Sequence, residues 1–224
     1  MSTAEEHLEK RKPGRPREGG ELREVILDNA ELAFAEHGFA GARVRDIAAM
    51  AGVNQALIRY YFGSKEDLFD EVFRRRASVI SGARHVLLDR LLERDQAPKV
   101  AEIVRAYLQP QWDMKHSSPN GAAFVRLQSR LHAEPEEHAL RLRREVYDAS
   151  AKRYIQALAE ALPEIPREVI SVRMAFLVGT YLFMLNDLAR LNDLTDGQLG
   201  EVGPEAMLAH LEWFLTAGLS APVP

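Results

Sequence analysis

The chain has 224 residues, which is enough for one large domain or two small ones, and 46% of them are hydrophobic, as expected of a protein that buries a core. It has no cysteine, which excludes disulfides, thiolate nucleophiles and cysteine-based zinc sites. The formal net charge of -4 is small, so the distribution of charge along the chain is more informative than its total.

The first element is a basic segment, KRKPGRPR, at residues 10–17, in which five of the eight residues are Lys or Arg. No apolar run precedes it, so we expect no signal peptide and a cytoplasmic location. Residues 10–65 carry ten basic and seven acidic residues, whereas residues 66–224 carry 19 basic and 23 acidic residues. This asymmetry indicates that the N-terminal part of the chain contacts nucleic acid.

Beyond this segment, apolar residues recur at spacings of three and four, and strand signals are almost absent, so we predict a nearly all-α fold. The predicted helices cover residues 21–36, 44–50, 55–62, 65–94, 98–109, 122–132, 135–162, 167–191 and 205–219. A turn is predicted at residues 119–121. The longest apolar run, residues 174–185, is too short to span a bilayer, so we expect a fully buried helix there and no membrane partner.

Glycines and capping residues separate the first four predicted helices. Gly38 and Gly52 are expected to end the first two, because glycine tolerates the left-handed conformation of a helix stop. Asn54 and Ser64 are expected to cap the third and fourth by accepting backbone N–H hydrogen bonds. Two short helices joined by a glycine-containing turn form a helix-turn-helix, which we place at about residues 44–63.

The second helix of this motif has an apolar face, with Ile58 and Phe62, and an open face that is available to a DNA groove. The open face consists of Gln55, Ala56, Leu57, Arg59, Tyr60 and Tyr61. Arginine can donate two hydrogen bonds to guanine, glutamine can pair with adenine, an alanine methyl can contact thymine, and tyrosine hydroxyls suit phosphates. The pattern therefore predicts DNA binding, and the alternative for Arg59 and the two tyrosines is a solvated surface.

Residues 44–69, VRDIAAMAGVNQALIRYYFGSKEDLF, strongly resemble the DNA-binding head of the tetracycline-repressor (TetR) family of transcriptional regulators. Residues 26–39, ILDNAELAFAEHGF, resemble the first helix of that head. The resemblance implies an all-α fold, with an N-terminal three-helix helix-turn-helix DNA-binding head and a C-terminal helical ligand-binding and dimerisation domain. The corresponding division is a basic arm at residues 1–20, a head at 21–66 and a C-terminal domain at 67–224.

The resemblance also implies a role for each matching residue. Base edges would be contacted by Gln55, Ala56 and Arg59, the groove wall and phosphates by Leu57, Tyr60 and Tyr61, a phosphate by Lys65, and a base or phosphate by Arg45. The family usually has Tyr in place of Arg59 and often Gly in place of Ala56, so its base preference does not transfer. Arg43 stands where a capping Thr is frequent, and we expect a phosphate contact from it instead. For Lys65, pairing with nearby acids is the alternative.

Within the basic segment, PGRPR is similar to the core of an AT-hook, whose arginines enter the narrow minor groove of A·T-rich DNA. Prolines keep the backbone extended, and Arg15 and Arg17 would supply the positive charge that this groove attracts. An arm that precedes a DNA-binding head can reach the neighbouring minor groove. The alternative is a solvated tail with no fixed role.

For the rest of the chain, the resemblance implies a two-fold dimer and a small-molecule site. The helices at 167–191 and 205–219 are the expected dimer pair, because each is apolar on more faces than one monomer needs. Their apolar residues include Phe176, Tyr181, Phe183 and Met184 in the first helix and Leu208, Leu211, Trp213 and Phe214 in the second.

The expected effector is a hydrophobic small molecule, because ligand pockets are mostly apolar. The candidate lining residues are Trp112, Phe124, Leu127, Leu131, Tyr147, Met174, Leu177 and Tyr181, with Arg130 or His132 as a polar anchor. Plain core packing is the alternative for each of these residues. Residues 124–135, FVRLQSRLHAEP, loosely resemble regulators of fatty-acid and lipid catabolism in the family, which implies a fatty-acid-like or lipid-like effector.

The sequence thus predicts a dimeric repressor that a small-molecule effector releases from a palindromic operator in double-stranded DNA. An architectural binder of A·T-rich minor grooves is the alternative. An enzyme is not expected, because the metalloprotease, P-loop and dinucleotide-binding motifs are absent. No cofactor or metal is expected, since the seven histidines lack the i, i+4 pairing of a metal sensor.

Overall fold

The computed structural model describes residues 19–133, 137–186, 192–198 and 202–223. Within these ranges the chain is helical and contains no strand, which confirms the all-α prediction. The helices are α1 (Gly19–Gly41), α2 (Val44–Ala51), α3 (Gln55–Phe62), α4 (Lys65–Leu92), α5 (Val100–Ser117), α6 (Pro119–Ala133), α7 (Glu137–Ala161), α8 (Arg167–Asn186) and α9 (Pro204–Ser220). We call α1–α3 the head.

Three of the four predicted boundary residues of the first four helices, Gly52, Asn54 and Ser64, are confirmed, and Gly38 is not. Gly52 has φ 68° and ψ 31° after α2, and the Asn54 side chain accepts a hydrogen bond from the Leu57 N–H at 2.8 Å. Ser64 and Asp67 form a reciprocal capping box at the start of α4. Gly38, with φ 68°, lies at a kink in α1 rather than at its end, because the chain resumes helical geometry for one further turn.

Two predicted features around α5 and α6 are wrong. Helix α5 does not end at residue 109 but continues through Pro110 to Ser117, because the buried Gln111 and Trp112 beyond the proline pack into the core. Residues 119–121 are not a turn but the start of α6, where the Ser118 hydroxyl accepts a hydrogen bond from the Gly121 N–H at 3.0 Å. Proline is tolerated in a first helical turn, since its missing N–H would have no partner there.

The buried apolar residues form two clusters. The first joins the head and the start of α4 to α6 and α7, and the second joins the rest of α4 to α5, α7, α8 and α9. Packing therefore does not break at residue 66, where the sequence places the boundary of the head, and that division remains a prediction. The head is attached to the C-terminal helices chiefly through the packing of α1 on α6 and on α4.

Helix α8 is not fully buried, contrary to the sequence-based expectation. Val172, Phe176 and Phe183 are 53%, 67% and 55% exposed, although the opposite side of the helix packs against α7 and α9. With 20 residues and a mean hydropathy of 1.6, α8 is long and apolar enough to cross a membrane by length and composition alone. Predicted helix residues 187–191 lie outside the described residues.

Candidate DNA-binding surface and effector cavity

Helix α3 presents a polar face to solvent because its apolar face is fixed in the core by Ile58 and Phe62, which are 2% and 8% exposed. On the opposite side, Gln55, Ala56 and Arg59 are exposed, Tyr60 is 82% exposed, and Leu57 and Tyr61 are half-buried. The six residues predicted for the open face of this helix therefore lie together at the surface of the head.

Two arginines on this surface, Arg43 and Arg59, have side chains without a partner among the described residues. Arg43 precedes α2, caps it with no side-chain hydrogen bond, and is exposed. Neither Arg43 nor Arg59 forms a side-chain hydrogen bond or an ion pair with any residue that the structure describes. Arg45 differs, because its Nε lies 3.2 Å from a carboxylate oxygen of the neighbouring Asp46.

Lys65 connects the start of α4 to the end of α1. Its Nζ donates a hydrogen bond to the Ala40 carbonyl at 3.4 Å and lies 4.7 Å from the centroid of the Phe39 ring. A phosphate contact by Lys65 would therefore compete with these two interactions. Arg15 and Arg17, predicted for the minor groove, lie outside the described residues.

A cavity of about 110 Å³ lies among α4, α5, α6, α7 and α8, and we call it the central cavity. It is lined by Arg84, Tyr107, Gln111, Gln128, His132, Tyr147, Ala151, Val178, Tyr181 and Leu182. Of the predicted effector-site residues, Tyr147, Tyr181 and the anchor His132 line it. The others that are buried, but not in its lining, are Trp112, Phe124, Leu127, Leu131, Met174 and Leu177.

The second predicted anchor, Arg130, lies away from the central cavity. It is exposed, and its Nη2 donates a hydrogen bond at 3.3 Å to the carbonyl of Glu36 in α1. On the same helix, the Asn120 side chain donates to the Asp28 carbonyl at 3.0 Å. Since Gln128 and His132 of α6 line the central cavity, this helix contacts both the cavity and the head.

Polar side chains that the sequence analysis missed form a chain beside the cavity. Arg84 Nη2 donates to Gln111 Oε1 at 3.2 Å, Gln111 Nε2 donates to Gln128 Oε1, and Gln128 Nε2 donates to the Tyr147 hydroxyl at 2.8 Å. Arg84, Gln111 and Gln128 are 2%, 1% and 3% exposed. The signal that indicates them is a polar residue inside an apolar stripe, such as Arg84 between Ile80 and Leu88.

Burial sets the protonation of the cavity. It lowers the pKa of His132 below its ordinary value of 6.5, and the nearby guanidinium groups of Arg143 and Arg84 lower it further. Burial likewise raises the pKa of Tyr147 and of Tyr181 above the usual 10.0. At neutral pH His132 is therefore neutral and both tyrosines keep their protons.

Large apolar side chains are exposed on α8 and α9, and we call this set the apolar face: Val172, Phe176, Phe183, Trp213 and Phe214. Trp213 and Phe214 are 69% and 67% exposed. The predicted dimer residues Tyr181, Leu208 and Leu211 are instead buried within the chain. In the part of the chain that the structure describes, no group of three acidic or histidine side chains is placed to hold a metal.

Comparison with known proteins finds a matching family model for the N-terminal part of the chain and another for the C-terminal part. Residues 26–72 match the family model described as "Bacterial regulatory proteins, tetR family", and residues 105–218 match "Tetracyclin repressor-like, C-terminal domain". The HTH-type transcriptional repressor NicS of Pseudomonas putida is 31% identical over 135 residues, which are 58% of this chain and 61% of NicS. The HTH-type transcriptional repressor AcnR of Corynebacterium glutamicum is 41% identical over 63 residues, covering 26% of this chain and 34% of AcnR.

Both of these matches span less than two thirds of the relative's own length. Among solved structures, the fatty acid degradation regulator FadR from Bacillus halodurans superposes with a TM-score of 0.64 at 20% identity, covering 87% of this chain and 98% of FadR. A TetR-like transcriptional regulator from Rhodococcus sp. RHA1 gives 0.63 at 19% identity, covering 93% and 100%. These two likenesses show the fold, and the relatives are regulators rather than enzymes. The chain belongs to the TetR family of bacterial regulatory proteins.

Proposed function

We propose that this regulator is a dimeric repressor that binds a palindromic operator through its two heads and is released when a small molecule occupies the central cavity. The observation that carries the proposal is the position of α6. This helix lines the cavity with Gln128 and His132 and donates hydrogen bonds to α1 of the head through Asn120 and Arg130.

On DNA, α3 would lie in the major groove with its exposed face toward the bases. Gln55 and Arg59 have the side chains that pair with adenine and guanine, and the small Ala56 permits close approach. Phosphates would be contacted by Arg43, Arg45, Tyr60, Tyr61 and Lys65, with Leu57 against the groove wall. Arg15 and Arg17 would enter the neighbouring minor groove. Support for these roles comes from the exposure of α3 and from Arg43 and Arg59, whose side chains pair with no described residue.

Dimerisation would cover the apolar face, whose aromatic side chains are otherwise in water. Stable dimers bury about 800 Å² per partner, and large exposed apolar patches commonly mark such contacts. A two-fold dimer through α8 and α9 would place the two heads on successive major grooves, about 34 Å apart. Family membership favours this use of α8 over a membrane span, and we place the protein in the cytoplasm, with its DNA.

The effector would act by shifting the population of two conformations. A ligand changes this equilibrium only if it binds the two conformations with different affinities. Since α6 contacts both the cavity and α1, a ligand that displaces α6 changes the angle of the head and the distance between the two heads. A fatty-acid-like or lipid-like effector remains a proposal, and the volume of about 110 Å³ favours a short chain over a long one.

The test is selection of genomic DNA fragments by the purified full-length protein at physiological salt. We expect a palindrome with two half-sites about one helical turn apart. Broad enrichment of A·T-rich DNA without a palindrome would contradict the repressor and favour an architectural minor-groove binder, in which the basic arm dominates binding.

A further inference from the structure

We infer that the central cavity is a binding site for a small organic carboxylate, with Arg84 as the group that pairs with it. The inference rests on the proposed function, because it names the chemical class of the effector that this cavity would take. It replaces the hydrophobic effector expected from the sequence with an anion that has a compact apolar body.

The charge of Arg84 is buried, and no acidic side chain among the described residues balances it. Arg84 is 2% exposed. No Asp or Glu of the described chain forms an ion pair with its guanidinium group. The other buried charges on α4 and α1 are paired: Asp70 with Arg74, and Glu31 with both Arg75 and Arg76. A buried ion without a counter-charge costs much more free energy than a paired one.

The guanidinium is held in one position by neutral groups. Nε donates to the Tyr107 carbonyl at 2.9 Å, Nη2 donates to Gln111 Oε1 at 3.2 Å, and the group lies 3.6 Å from the centroid of the Tyr107 ring. None of the described residues accepts a hydrogen bond from Nη1. Arg84 is thus a fixed donor with unused capacity, and a carboxylate is the anion that arginine binds through two parallel hydrogen bonds.

The neighbours of Arg84 also favour an anion. Tyr147 accepts a hydrogen bond from Gln128 at 2.8 Å, and its own hydroxyl hydrogen has no acceptor among the described residues. The second guanidinium in this region, Arg143, donates to the His132 carbonyl at 3.0 Å and has no described ion-pair partner either. His132 Nδ1 donates to the Gln128 carbonyl at 2.9 Å, so the neutral ring adds no charge and its Nε2 is an acceptor.

The size and walls of the cavity limit the body of the ligand. A cavity of about 150 Å³ can hold one benzene ring, so a volume of about 110 Å³ suits a short chain or one small ring after modest adjustment. Val178, Leu182 and the rings of Tyr107 and Tyr181 supply the apolar part of the wall. The expected ligand is therefore a monocarboxylate with roughly the dimensions of butyrate or benzoate.

The test is calorimetric titration of the full-length protein with three carboxylates (butyrate, benzoate and cyclohexanecarboxylate) and with their neutral amides, at constant ionic strength. At least one carboxylate should bind with a dissociation constant at least tenfold lower than that of its amide. The inference is overturned if no carboxylate binds, or if each amide binds as tightly as its acid.

Variants assign the preference to Arg84. Arg84→Met should remove the preference for the carboxylate over the amide, whereas Arg84→Lys should retain part of it because the positive charge remains. Arg153→Met is the matched control, since Arg153 pairs with Asp89 and does not line the cavity; its ligand binding should not change. If Arg84→Met does not fold, the Arg84→Lys result decides. A preference for acid over amide in Arg84→Lys that equals the preference of wild type contradicts the role of Arg84.

Operator binding is measured separately with the same preparations and a selected DNA fragment. If the protein binds its operator but shows no preference for carboxylates, only this inference is contradicted and the proposed repressor function stands. If the protein binds carboxylates through Arg84 but selects no DNA sequence, the ligand site stands and the proposed repressor function is contradicted.

Discussion

Arg59 and Arg84 are both arginines without an ion-pair partner in the described chain, and their surroundings give them opposite roles. Arg59 is exposed on α3, where water solvates its charge until DNA replaces that water. Arg84 is buried beside the central cavity, and no acidic side chain of the described residues pairs with it there. Exposure, rather than residue type, is therefore the basis on which we propose a nucleic-acid contact for Arg59 and an effector contact for Arg84.

Replacement of Arg59 tests whether this residue contacts a base. Arg59→Ala should cost about 1–3 kcal/mol of binding free energy on the operator and relax the preference at one base pair, because a bidentate contact to guanine is lost. Quantitative mobility shifts on the operator, on variants of each base pair and on random DNA measure both effects. Arg94 is an exposed arginine beyond the end of α4, so Arg94→Ala should leave both the operator affinity and the base preference unchanged. An equal loss on operator and random DNA would reduce Arg59 to a phosphate contact.

His132 predicts a pH dependence of stability. Its pKa in the folded protein is lowered, chiefly by burial, so between that pKa and 6.5 the unfolded chain binds more protons than the folded one. The contribution of His132 to the free energy of unfolding is therefore complete above about pH 6.5 and is lost as the pH falls below it. Urea unfolding at several pH values should show this loss.

The difference between variants isolates His132 from the other histidines. His132→Gln should reduce the fall in stability below pH 6.5, whereas His37→Gln, in an exposed residue of α1, should not. Identical pH profiles for wild type and His132→Gln would mean that His132 titrates as freely in the folded chain as in the unfolded one.

At the level of the helices, the sequence predicted best where a local signal sets a boundary. Helices α2 and α3 match the prediction to within one residue, because Gly52 and Asn54 act through their own backbone and side chain. Helix α5 was predicted to end at residue 109, but it continues past Pro110 because Trp112 packs against distant helices, which the local sequence does not indicate. Arg84 was missed for the same reason: its burial is set by α5 and α6, not by its neighbours in sequence.

The close crossing of α5 and α6 depends on Gly121. A Cβ at this position would lie 1.9 Å from the Met114 carbonyl oxygen, which belongs to the backbone and cannot rotate away. Gly121→Ala should therefore destabilise the protein by about 1–3 kcal/mol, as measured by urea unfolding. Gly82→Ala is the matched control in α4, where a Cβ meets nothing within 4 Å. It should stabilise by about 0.5–1 kcal/mol, since alanine loses less backbone entropy in a helix. Equal stability of the two variants would contradict the tight crossing.

In the whole molecule, the core is continuous from the head into α6 and α7, although the sequence divides the chain at residue 66. The composition of each half predicted which part contacts DNA, but it contains no information on how the halves pack. That packing makes α6 a neighbour of both α1 and the central cavity. Ligand binding and DNA binding can therefore be coupled without a flexible linker between them.

A charge introduced into the apolar face should disrupt the proposed dimer. Phe176→Arg places a charge at the centre of this face and should convert the dimer to a monomer in sedimentation experiments, with a weaker affinity for the operator. Val79→Arg is the control, because Val79 is 59% exposed on α4, away from α8 and α9, and its replacement should leave a dimer. A Phe176→Arg protein that stays dimeric at micromolar concentration would place the interface elsewhere.

The most direct test of the account is the dependence of operator affinity on the spacing between half-sites. Two heads that are held by one dimer fit half-sites on the same side of DNA, about one turn apart. Insertion of about five base pairs rotates one half-site by roughly half a turn, and we predict at least a tenfold loss of affinity for the wild-type protein. Equal affinity for the original and the lengthened operator would show that each head binds independently, and would contradict the proposed dimeric repressor.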